Sequence, residues 1–327
     1  MNAHDPLQES PRVPLDPEVV TLLDSGYALP YPQDLDAGLV QPQSRPPTVD
    51  TNKQATFGDA LIDVTDRFID SPWGQIATRW YQPKTVSKGC RATVPCIMYL
   101  HGGGWVSGDL DMQDSLCREL TYSGQALVVS VNYRLAPQHP YPAAIQDALH
   151  VLRYIHQTAE DHGVITNRVS IAGSSAGANL VLSTLLADVE TGQHSVRAQL
   201  LIYPPVDPTL AHASVKEMGH GCYLTREHLV QYYRAYLPEP SLRMGRCAAP
   251  LYATNLNKLP VACIATAGYD PLRDEGLAFI SKLEMSGVQV VKHHFPDLPH
   301  GFIGMANHST SARKARDRIL ESFQELI

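Results

Sequence analysis

The sequence lacks the charge pattern of a protein that binds nucleic acid. Its 26 lysines and arginines are outnumbered by 33 aspartates and glutamates, which gives a formal net charge of −7. No run of basic residues interrupts this acidic balance. Because contacts to phosphates need clustered lysine and arginine, the composition argues against nucleic acid or an anionic membrane surface as a partner.

Long hydrophobic runs are also absent. Hydrophobic residues make up 44% of the chain. No uninterrupted apolar stretch approaches the roughly 20 residues of a membrane-spanning helix. Residues 1–18 contain neither a basic segment nor the apolar segment that follows it in a secretory signal. We therefore expect no integral membrane segment and no signal peptide.

Cysteine occurs without the spacing of a metal site. The six cysteines show no CxxC pair and no Cys/His cluster, so we expect no bound metal. Scattered cysteines suit a reducing compartment, and we expect a cytoplasmic protein in which Cys96 and Cys263 are buried as small hydrophobic residues. A Cys90–Cys96 disulfide is the alternative. The full set is Cys90, Cys96, Cys117, Cys222, Cys247 and Cys263.

From residue 60 onward, segments typical of strands alternate with segments typical of helices. Residues 61–69 and 76–81 alternate apolar and polar positions around a short turn, which predicts an antiparallel hairpin. Further strands are predicted at 95–100, 126–131, around 169, and at 200–203, 261–267 and 288–295. Helices are predicted at 112–122, 143–162, after 175, and at 272–285 and 311–327. This alternation predicts an α/β fold with a mostly parallel sheet covered by helices on both faces.

Two segments fall outside this alternation. Residues 1–58 are rich in Pro, Asp and Gln, and contain one predicted helix over 15–23 with Asp16 as N-cap and Pro17 at its first position. They form either a tail or an extension that packs on the rest. Residues 207–245 hold a predicted helix over 225–236, capped by Thr225, and a cluster of tyrosines. An insertion after the carboxyl end of a strand lies where such sheets bind ligands, although a surface excursion is the alternative.

The strongest local signal is the segment Gly173-Ser174-Ser175-Ala176-Gly177. It has the G-x-S-x-G pattern between a predicted strand and a predicted helix, which is typical of a nucleophile on a sharp turn. Ser175 is the predicted nucleophile, and the two glycines avoid collisions on either side of it. The amide of Ala176, at the helix start, is predicted to face a developing oxyanion. An ordinary turn with small residues is the alternative.

A serine nucleophile needs a base and a group that orients the base. His300 follows the last predicted strand in a loop, and Asp270 directly follows the strand at 261–267, where Pro271 is predicted to open the next helix with Asp270 as its cap. The three residues occur in the chain order Ser175, Asp270, His300, and each follows a separate predicted strand, as a catalytic triad on such an α/β sheet requires. The other candidate acids are Asp274, Glu275 and Asp297. Asp274 and Glu275 lie on the predicted helix and are expected to face solvent or neighbouring loops.

A glycine-rich turn supplies candidate oxyanion donors. His101-Gly102-Gly103-Gly104-Trp105 directly follows the strand at 95–100. Glycines let the backbone present N–H groups with no side chain in the way, so Gly102, Gly103 and Ala176 are the predicted three-donor oxyanion hole. Trp105 and Tyr203 are candidate substrate contacts, with core packing as the alternative for both.

Motifs in this order resemble those of the hormone-sensitive-lipase-like esterases of the α/β-hydrolase superfamily. The matching motifs are HGGGW (101–105), YRLAP (133–137), GSSAG (173–177), DPLRDEG (270–276) and HGF (300–302). The resemblance implies an α/β-hydrolase domain over 59–327, with 1–58 and the insertion at 207–245 forming a helical cap over the acyl site. It also implies hydrolysis of short- to medium-chain acyl esters through an acyl-serine, with no cofactor or metal.

The sequence departs from the family pattern at three positions, namely Ser174, Ala178 and Gln138. These departures leave the subfamily and the substrate open. An amidase or deacetylase using the same residues is one alternative, and a non-catalytic small-molecule receptor is another. An exposed edge near the last strand, at 288–295, makes a homodimer a further expectation.

Overall fold

A computed structural model describes residues 13–27, 60–84, 93–191, 196–220 and 223–327. Most of the 1–58 segment, together with Cys90 and Cys222, lies outside the described residues. The first described element is helix α1, Pro17–Asp24. The Asp16 carboxylate accepts a hydrogen bond from the Val19 amide at 3.0 Å, so the predicted N-cap is confirmed.

An antiparallel hairpin leads into a series of alternating strands and helices, as the sequence predicts. The hairpin is β1 (Ile62–Ser71) and β2 (Gly74–Pro83). The first half of the series is β3 (Val94–Leu100), α2 (Asp114–Gly124), β4 (Leu127–Val131), α3 (Ala143–Gln157), β5 (Val164–Ser174), α4 (Ala176–Thr191) and β6 (Ala198–Ile202). The second half is α5 (Ala213–Met218), α6 (Arg226–Tyr236), β7 (Val261–Tyr269), α7 (Arg273–Met285), β8 (Val290–Pro299) and α8 (Thr310–Gln324).

The described strands form one sheet in the order β1-β2-β4-β3-β5-β6-β7-β8. β1 and β2 run antiparallel to their neighbours, and every other neighbouring pair is parallel. One face packs against α3, α4 and α7, and the other against α1, α2 and α8. β3, β4 and β6 are buried along their whole length, as expected for strands covered on both faces. The predicted α/β architecture is confirmed.

Two helix boundaries differ from the prediction. α3 ends at Gln157, and a 3-10 turn at Glu160–His162 replaces its predicted last turn. The Thr158 hydroxyl donates to the Tyr154 carbonyl, and such side-chain bonds compete with continuation of the helix. α7 begins at Arg273, so Pro271 is not its first residue, because a separate turn closed by the Arg273 amide and the Asp270 carbonyl precedes it.

The described part of the N-terminal segment packs against the C-terminal part of the chain. The Asp16 amide donates to the Asp297 carbonyl at 2.9 Å, and the Ser311 hydroxyl donates to the Asp16 carboxylate at 2.7 Å. Val19 is fully buried against the α8 side of the core. α1 is therefore fixed beside the strand that leads to His300.

Cys96, Cys117 and Cys263 are buried and form no disulfide. Cys96 and Cys263 are buried, as predicted, and burial raises the pKa of each thiol to about 12. Because Cys96 is free, the alternative of a disulfide to it is wrong. Within the described ranges, the helices are all too short or too polar to cross a bilayer.

Candidate active site

Ser175 lies alone between β5 and α4, on a turn with a strained backbone. Its φ is +53°, in the left-handed region that non-glycine residues rarely adopt. A Cβ on Gly173 would lie 2.5 Å from the Gly177 carbonyl carbon, and one on Gly177 would lie 2.0 Å from the Leu100 carbonyl oxygen. Only glycine fits at either position, so the sharp turn predicted from the sequence is present.

A chain of hydrogen bonds connects Ser175, His300 and Asp270. Ser175 Oγ lies 2.9 Å from His300 Nε2, and His300 Nδ1 lies 2.8 Å from Asp270 Oδ2. His300 is 3% exposed and Asp270 is 1% exposed. Because the carboxylate accepts, Nδ1 carries the proton, which leaves Nε2 as the acceptor for the serine hydroxyl. The geometry is that of a nucleophile, a base and a group that orients the base.

Asp270 itself is held by the turn that precedes α7. Its Oδ1 accepts a hydrogen bond from the Leu272 amide at 2.8 Å, while Oδ2 faces His300. The N-cap position of α7 belongs to Leu272, so the predicted capping role of Asp270 is wrong. The carboxylate instead binds the turn and the imidazole at the same time.

The alternative acids are bonded elsewhere. Asp274 accepts from the Ser214 amide at 2.8 Å, and the backbone carbonyl of Asp297 accepts from the N-terminal segment. Glu275 is fully buried and accepts from the Val206 amide at 2.7 Å, so it faces a neighbouring loop and not solvent. Burial raises the pKa of Glu275 well above its usual value. Asp270 is the acid that the structure joins to His300.

The glycine turn after β3 lies directly against Ser175. A Cβ on Gly102 would lie 3.4 Å from the Ser175 Cβ, and one on Gly103, whose φ is +126°, would lie 2.0 Å from the Ser107 carbonyl oxygen. Ala176 is the first residue of α4, so its amide has no acceptor within the helix. The structure therefore brings Gly102 against the serine, with Ala176 next to it in the chain. The role of the Gly102, Gly103 and Ala176 amides as oxyanion donors stays a prediction.

His101 fixes the orientation of this turn, a role that the sequence analysis missed. Its Nδ1 lies 2.7 Å from the Gly102 carbonyl oxygen, which can only accept, so Nδ1 carries the proton. Burial lowers the pKa of His101 to about 4, so the ring is neutral at pH 7. In a trans peptide the N–H points opposite to the C=O, so this bond directs the Gly103 N–H away from the His101 ring. The signal in the sequence is a histidine directly before three glycines.

A cavity of about 190 Å³ opens beside Ser175. Among the described residues that line it, His300 is the only histidine, and none is an aspartate, glutamate, lysine or arginine. Tyr203, a candidate substrate contact, lines the cavity, and its ring centroid lies 4.5 Å from that of His300. Tyr223, one of the insertion tyrosines that the sequence offered as a pocket residue or as core packing, also lines the cavity. The remaining lining residues outside the catalytic turn were not predicted from the sequence: Tyr27, Met112, Gln113, Gly301, Ile303 and Gly304.

Trp105 has a different environment. It is 2% exposed and is not among the residues that line this cavity. Its ring stacks on Tyr236 of α6, with the centroids 4.6 Å apart and the planes 2° apart. The position of Trp105 favours the core-packing alternative over a contact with substrate.

Two tyrosines from the 207–245 insertion rest on glycines of the site. A Cβ on Gly301 would lie 2.6 Å from the Tyr223 ring, and one on Gly104 would lie 2.6 Å from the Tyr232 ring. α6 begins after Thr225, whose hydroxyl accepts from the His228 amide, so the predicted N-cap is confirmed. The insertion therefore packs on the turns that carry His300 and the candidate oxyanion donors.

The site can perform acyl transfer with side chains and backbone amides alone. It combines a serine hydroxyl, an imidazole bonded to a carboxylate, and a glycine turn whose Gly102 packs against the serine. In the described part of the chain, no group of three or more His, Cys, Asp or Glu side chains is arranged to hold a metal ion.

Comparisons with known proteins identify the family. The sequence model of the alpha/beta hydrolase fold family matches residues 97–304. Esterase LipI of Mycobacterium tuberculosis is 35% identical over 314 residues, covering 96% of this chain and 95% of the relative. The ethyl acetate hydrolase of Pseudomonas putida is 34% identical over 232 residues, covering 70% of this chain and 72% of the relative.

Solved structures agree with these sequence matches. The thermostable carboxylesterase EstE1, cloned from a metagenomic library, is 36% identical with a TM-score of 0.77, covering 82% of this chain and 90% of that one. The structure of DphMB1 is 31% identical with a TM-score of 0.83, covering 97% of this chain and 100% of that one. The chain therefore belongs to the α/β-hydrolase fold family, in its hormone-sensitive-lipase-like group of esterases.

Proposed function

We propose that this carboxylic ester hydrolase cleaves short- to medium-chain acyl esters through an acyl-serine intermediate on Ser175. The observation that carries the proposal is the pair of short hydrogen bonds, 2.9 Å from Ser175 to His300 and 2.8 Å from His300 to Asp270. Ser175 and His300 both line the cavity, and Gly102 lines it beside them. The names of the relatives, which include an esterase and an ethyl acetate hydrolase, support the same class of substrate.

In acylation, His300 Nε2 takes the proton of Ser175 as Oγ attacks the carbonyl carbon of the ester. The carbonyl oxygen becomes an oxyanion, which the amides of Gly102, Gly103 and Ala176 stabilise by hydrogen bonds. The intermediate then expels the alcohol, which receives the proton from Nε2. Asp270 holds the reactive tautomer and stabilises the imidazolium throughout.

In deacylation, a water molecule replaces the departed alcohol. His300 removes a proton from the water as its oxygen attacks the acyl carbon, and the same amides stabilise the second oxyanion. The bond from the acyl carbon to Ser175 Oγ breaks, and the proton returns to Oγ. The products are a carboxylic acid and the free enzyme, so no cofactor is consumed.

The size and lining of the cavity support small, uncharged ester substrates. A volume of about 190 Å³ suits a short acyl or alcohol chain, and the lining includes three tyrosines, a methionine and an isoleucine but no aspartate, glutamate, lysine or arginine. Such side chains stabilise apolar groups by burying them.

Replacing the nucleophile tests the proposal. Ser175→Ala removes the attacking oxygen, and turnover of p-nitrophenyl butyrate should fall by about 10⁴-fold or more. Ser281→Ala is the matched control, since Ser281 is exposed on α7 and bonds only to the Leu277 carbonyl within its own helix. Activity of the Ser175→Ala protein within tenfold of the wild type would overturn the proposal.

An amidase is the second candidate, because one relative, the human arylacetamide deacetylase-like 2, is 32% identical over 309 residues. We expect phenyl acetate to be cleaved and acetanilide to be cleaved at least about 10³-fold more slowly, because the anilide carbonyl is stabilised by resonance with nitrogen and aniline leaves far less readily than phenol. Comparable rates would favour the amidase.

The proposed domain organisation is a cap made of residues 1–58 and the insertion at 207–245, over a catalytic domain of 59–327. It is supported by α1, which packs beside α8, and by Tyr223 and Tyr232, which rest on glycines of the site.

A homodimer is a further proposal, since β8 lies at an edge of the described sheet. Light scattering after size exclusion distinguishes a dimer from a monomer. The cytoplasmic location and the lack of a nucleic-acid partner stay predictions.

A further inference from the structure

Tyr27 lines the active-site cavity although it lies far from the catalytic residues in sequence. It follows the end of α1, and its hydroxyl donates to the Gly304 carbonyl at 3.2 Å. Its ring stacks on Tyr223 of the insertion, with the centroids 5.9 Å apart and the planes 24° apart. Tyr27 is half-buried and is the residue through which α1 reaches the cavity.

The position of Tyr27 is fixed by the chain that precedes it. The Tyr27 amide donates to the Leu22 carbonyl at 3.3 Å, and Gly26, with φ at +87°, provides the turn between them. The other end of α1 is bonded to the main body through Asp16, which contacts Asp297 and Ser311. The ring is therefore held against the turn that follows His300.

The contacts of Tyr27 place it on one particular side of the catalytic serine. Its partner Tyr223 packs on Gly301, the residue after His300. The Tyr27 hydroxyl donates to the carbonyl of Gly304, four residues after His300. The cavity is also lined by Gly102, Met112 and Gln113, which come from the segment between β3 and α2. Tyr27 and Tyr223 thus form the wall on the His300 side.

The chemistry of the proposed reaction tells which part of an ester meets this wall. His300 Nε2 must deliver a proton to the oxygen of the departing alcohol, so that oxygen lies within hydrogen-bond distance of Nε2. The alcohol group therefore extends toward the His300 side of the cavity. The acyl group, bonded to the carbon attacked by Ser175, extends away from it.

We propose that Tyr27 is a specificity-determining residue, which limits the size of the alcohol group in the esters that this enzyme cleaves. The inference rests on the proposed function. The Tyr27 ring, held by Tyr223 and Gly304, closes the alcohol side of the cavity, so small uncharged alcohols fit and bulky ones collide with the ring. The N-terminal segment thereby takes part in substrate selection at the leaving-group side.

The experiment compares two ester series on the same enzymes. One series keeps acetate as the acyl group and varies the alcohol, from ethyl to cyclohexyl and 1-naphthyl. The other keeps p-nitrophenol as the alcohol and varies the acyl chain from acetyl to octanoyl. Tyr27→Ala should raise the ratio of kcat/KM for 1-naphthyl acetate over ethyl acetate by roughly tenfold or more, as expected for added space in an apolar pocket. The acyl-chain profile should stay within about twofold of that of the wild type.

Three further variants separate the size of the Tyr27 ring from its hydrogen bond and from the general effect of truncating a tyrosine. Tyr27→Phe keeps the ring and loses the bond to Gly304, so the alcohol ratio should stay near the wild-type value. Tyr27→Trp enlarges the ring, so the ratio should fall. Tyr122→Ala truncates a tyrosine that is 46% exposed on α2, away from the cavity, and should change neither profile. Circular dichroism and thermal unfolding check that each variant folds, and Tyr27→Trp still tests the proposal if Tyr27→Ala does not fold.

An unchanged alcohol ratio in folded Tyr27→Ala and Tyr27→Trp proteins would overturn the inference. A changed acyl-chain profile with an unchanged alcohol ratio would also overturn it, because Tyr27 would then border the acyl group. Either result leaves the proposed function standing, since esters would still be cleaved. Failure of the wild type to cleave any ester in either series would instead overturn the proposed function itself.

Discussion

The two parts of the site differ in how they are built. The glycine turns, 102–104 and 173–177, position reacting groups through backbone packing so tight that a single Cβ would collide at several positions. The wall of the cavity, in contrast, is made of side chains that come from α1, the loop before α2, the end of β6, the insertion and the turn after β8. Chemistry depends on the first part and substrate choice on the second, so the two should respond very differently to substitution.

The largest effect should come from Gly177→Ala. A Cβ there would lie 2.0 Å from the Leu100 carbonyl oxygen and 2.4 Å from that of His101, and the backbone cannot give way without displacing β3. We expect a loss of more than about 4 kcal/mol of unfolding free energy, enough to prevent folding. Gly287→Ala is the control, since its Cβ would meet open space and only the φ of +82° is unfavourable. Similar stability of both variants in urea would contradict the comparison.

The next largest effect should come from His101→Leu. Without the bond to the Gly102 carbonyl, the Gly103 amide is no longer held toward an oxyanion, and loss of one such donor typically lowers kcat by about 10²-fold. KM should change little. His101→Asn keeps a donor near the same place and should recover part of kcat. Steady-state kinetics on p-nitrophenyl butyrate measure kcat and KM of each variant. Equal kcat values for the Leu and Asn variants would show that kcat does not depend on the hydrogen bond from His101 to the Gly102 carbonyl.

A third effect concerns Glu275 of α7, whose carboxylate accepts hydrogen bonds from the amides of Val206 and Asp207, which follow β6. Its folded pKa is raised by burial, so the folded state holds the proton more tightly than the unfolded chain. Its contribution to stability is therefore complete below the pKa of the unfolded chain, about 4.3, and is lost as pH rises. Glu275→Gln cannot ionise, so it should gain stability relative to the wild type as pH rises, by up to about 1.4 kcal/mol per pH unit.

Urea unfolding of both proteins from pH 4.5 to 8 measures this difference. Glu321→Gln, at an exposed position on α8, is the matched control and should run parallel to the wild type at every pH. Parallel curves for Glu275→Gln as well would show that Glu275 is ionised in the folded protein.

The smallest effect should come from Met112→Ala, a substitution in the wall. Met112 is half-buried, and no reacting group depends on it for its position. We expect kcat on p-nitrophenyl acetate to stay within about threefold of the wild type, with a loss of stability near 1 kcal/mol. A fall in kcat as large as that of His101→Leu would remove the distinction between the two parts of the site.

The same distinction explains what the sequence could predict. The turns are short and local, so Ser175, the glycines around it and the turn after β3 were all predicted from spacing within a few residues. The order of strands and helices followed from apolar periodicity for the same reason. Asp270 and His300 were found because each directly follows a strand, and strand ends meet at one edge of a parallel sheet.

Beyond Tyr203 and the insertion tyrosines, the wall could not be predicted, because its members share no local pattern. Tyr27 follows a short helix in a proline-rich segment, and only its contact with Gly304, 277 positions away, brings it to the cavity. Trp105 was a candidate contact on the strength of its motif, yet its ring faces α6. The start of α7 was misplaced because Pro271 suits either a turn or a first helical position, and the bond from the Leu272 amide to Asp270 selects the turn.

Covalent labelling tests the central claim most directly. A fluorophosphonate reacts with a serine only when a neighbouring base and an oxyanion site activate it, and it forms a stable adduct. Intact-mass and peptide mass spectrometry should show one adduct, on Ser175, which is absent from the Ser175→Ala protein and strongly slowed in the Asp270→Asn protein. Labelling at another residue, or no labelling of folded protein, would contradict the account.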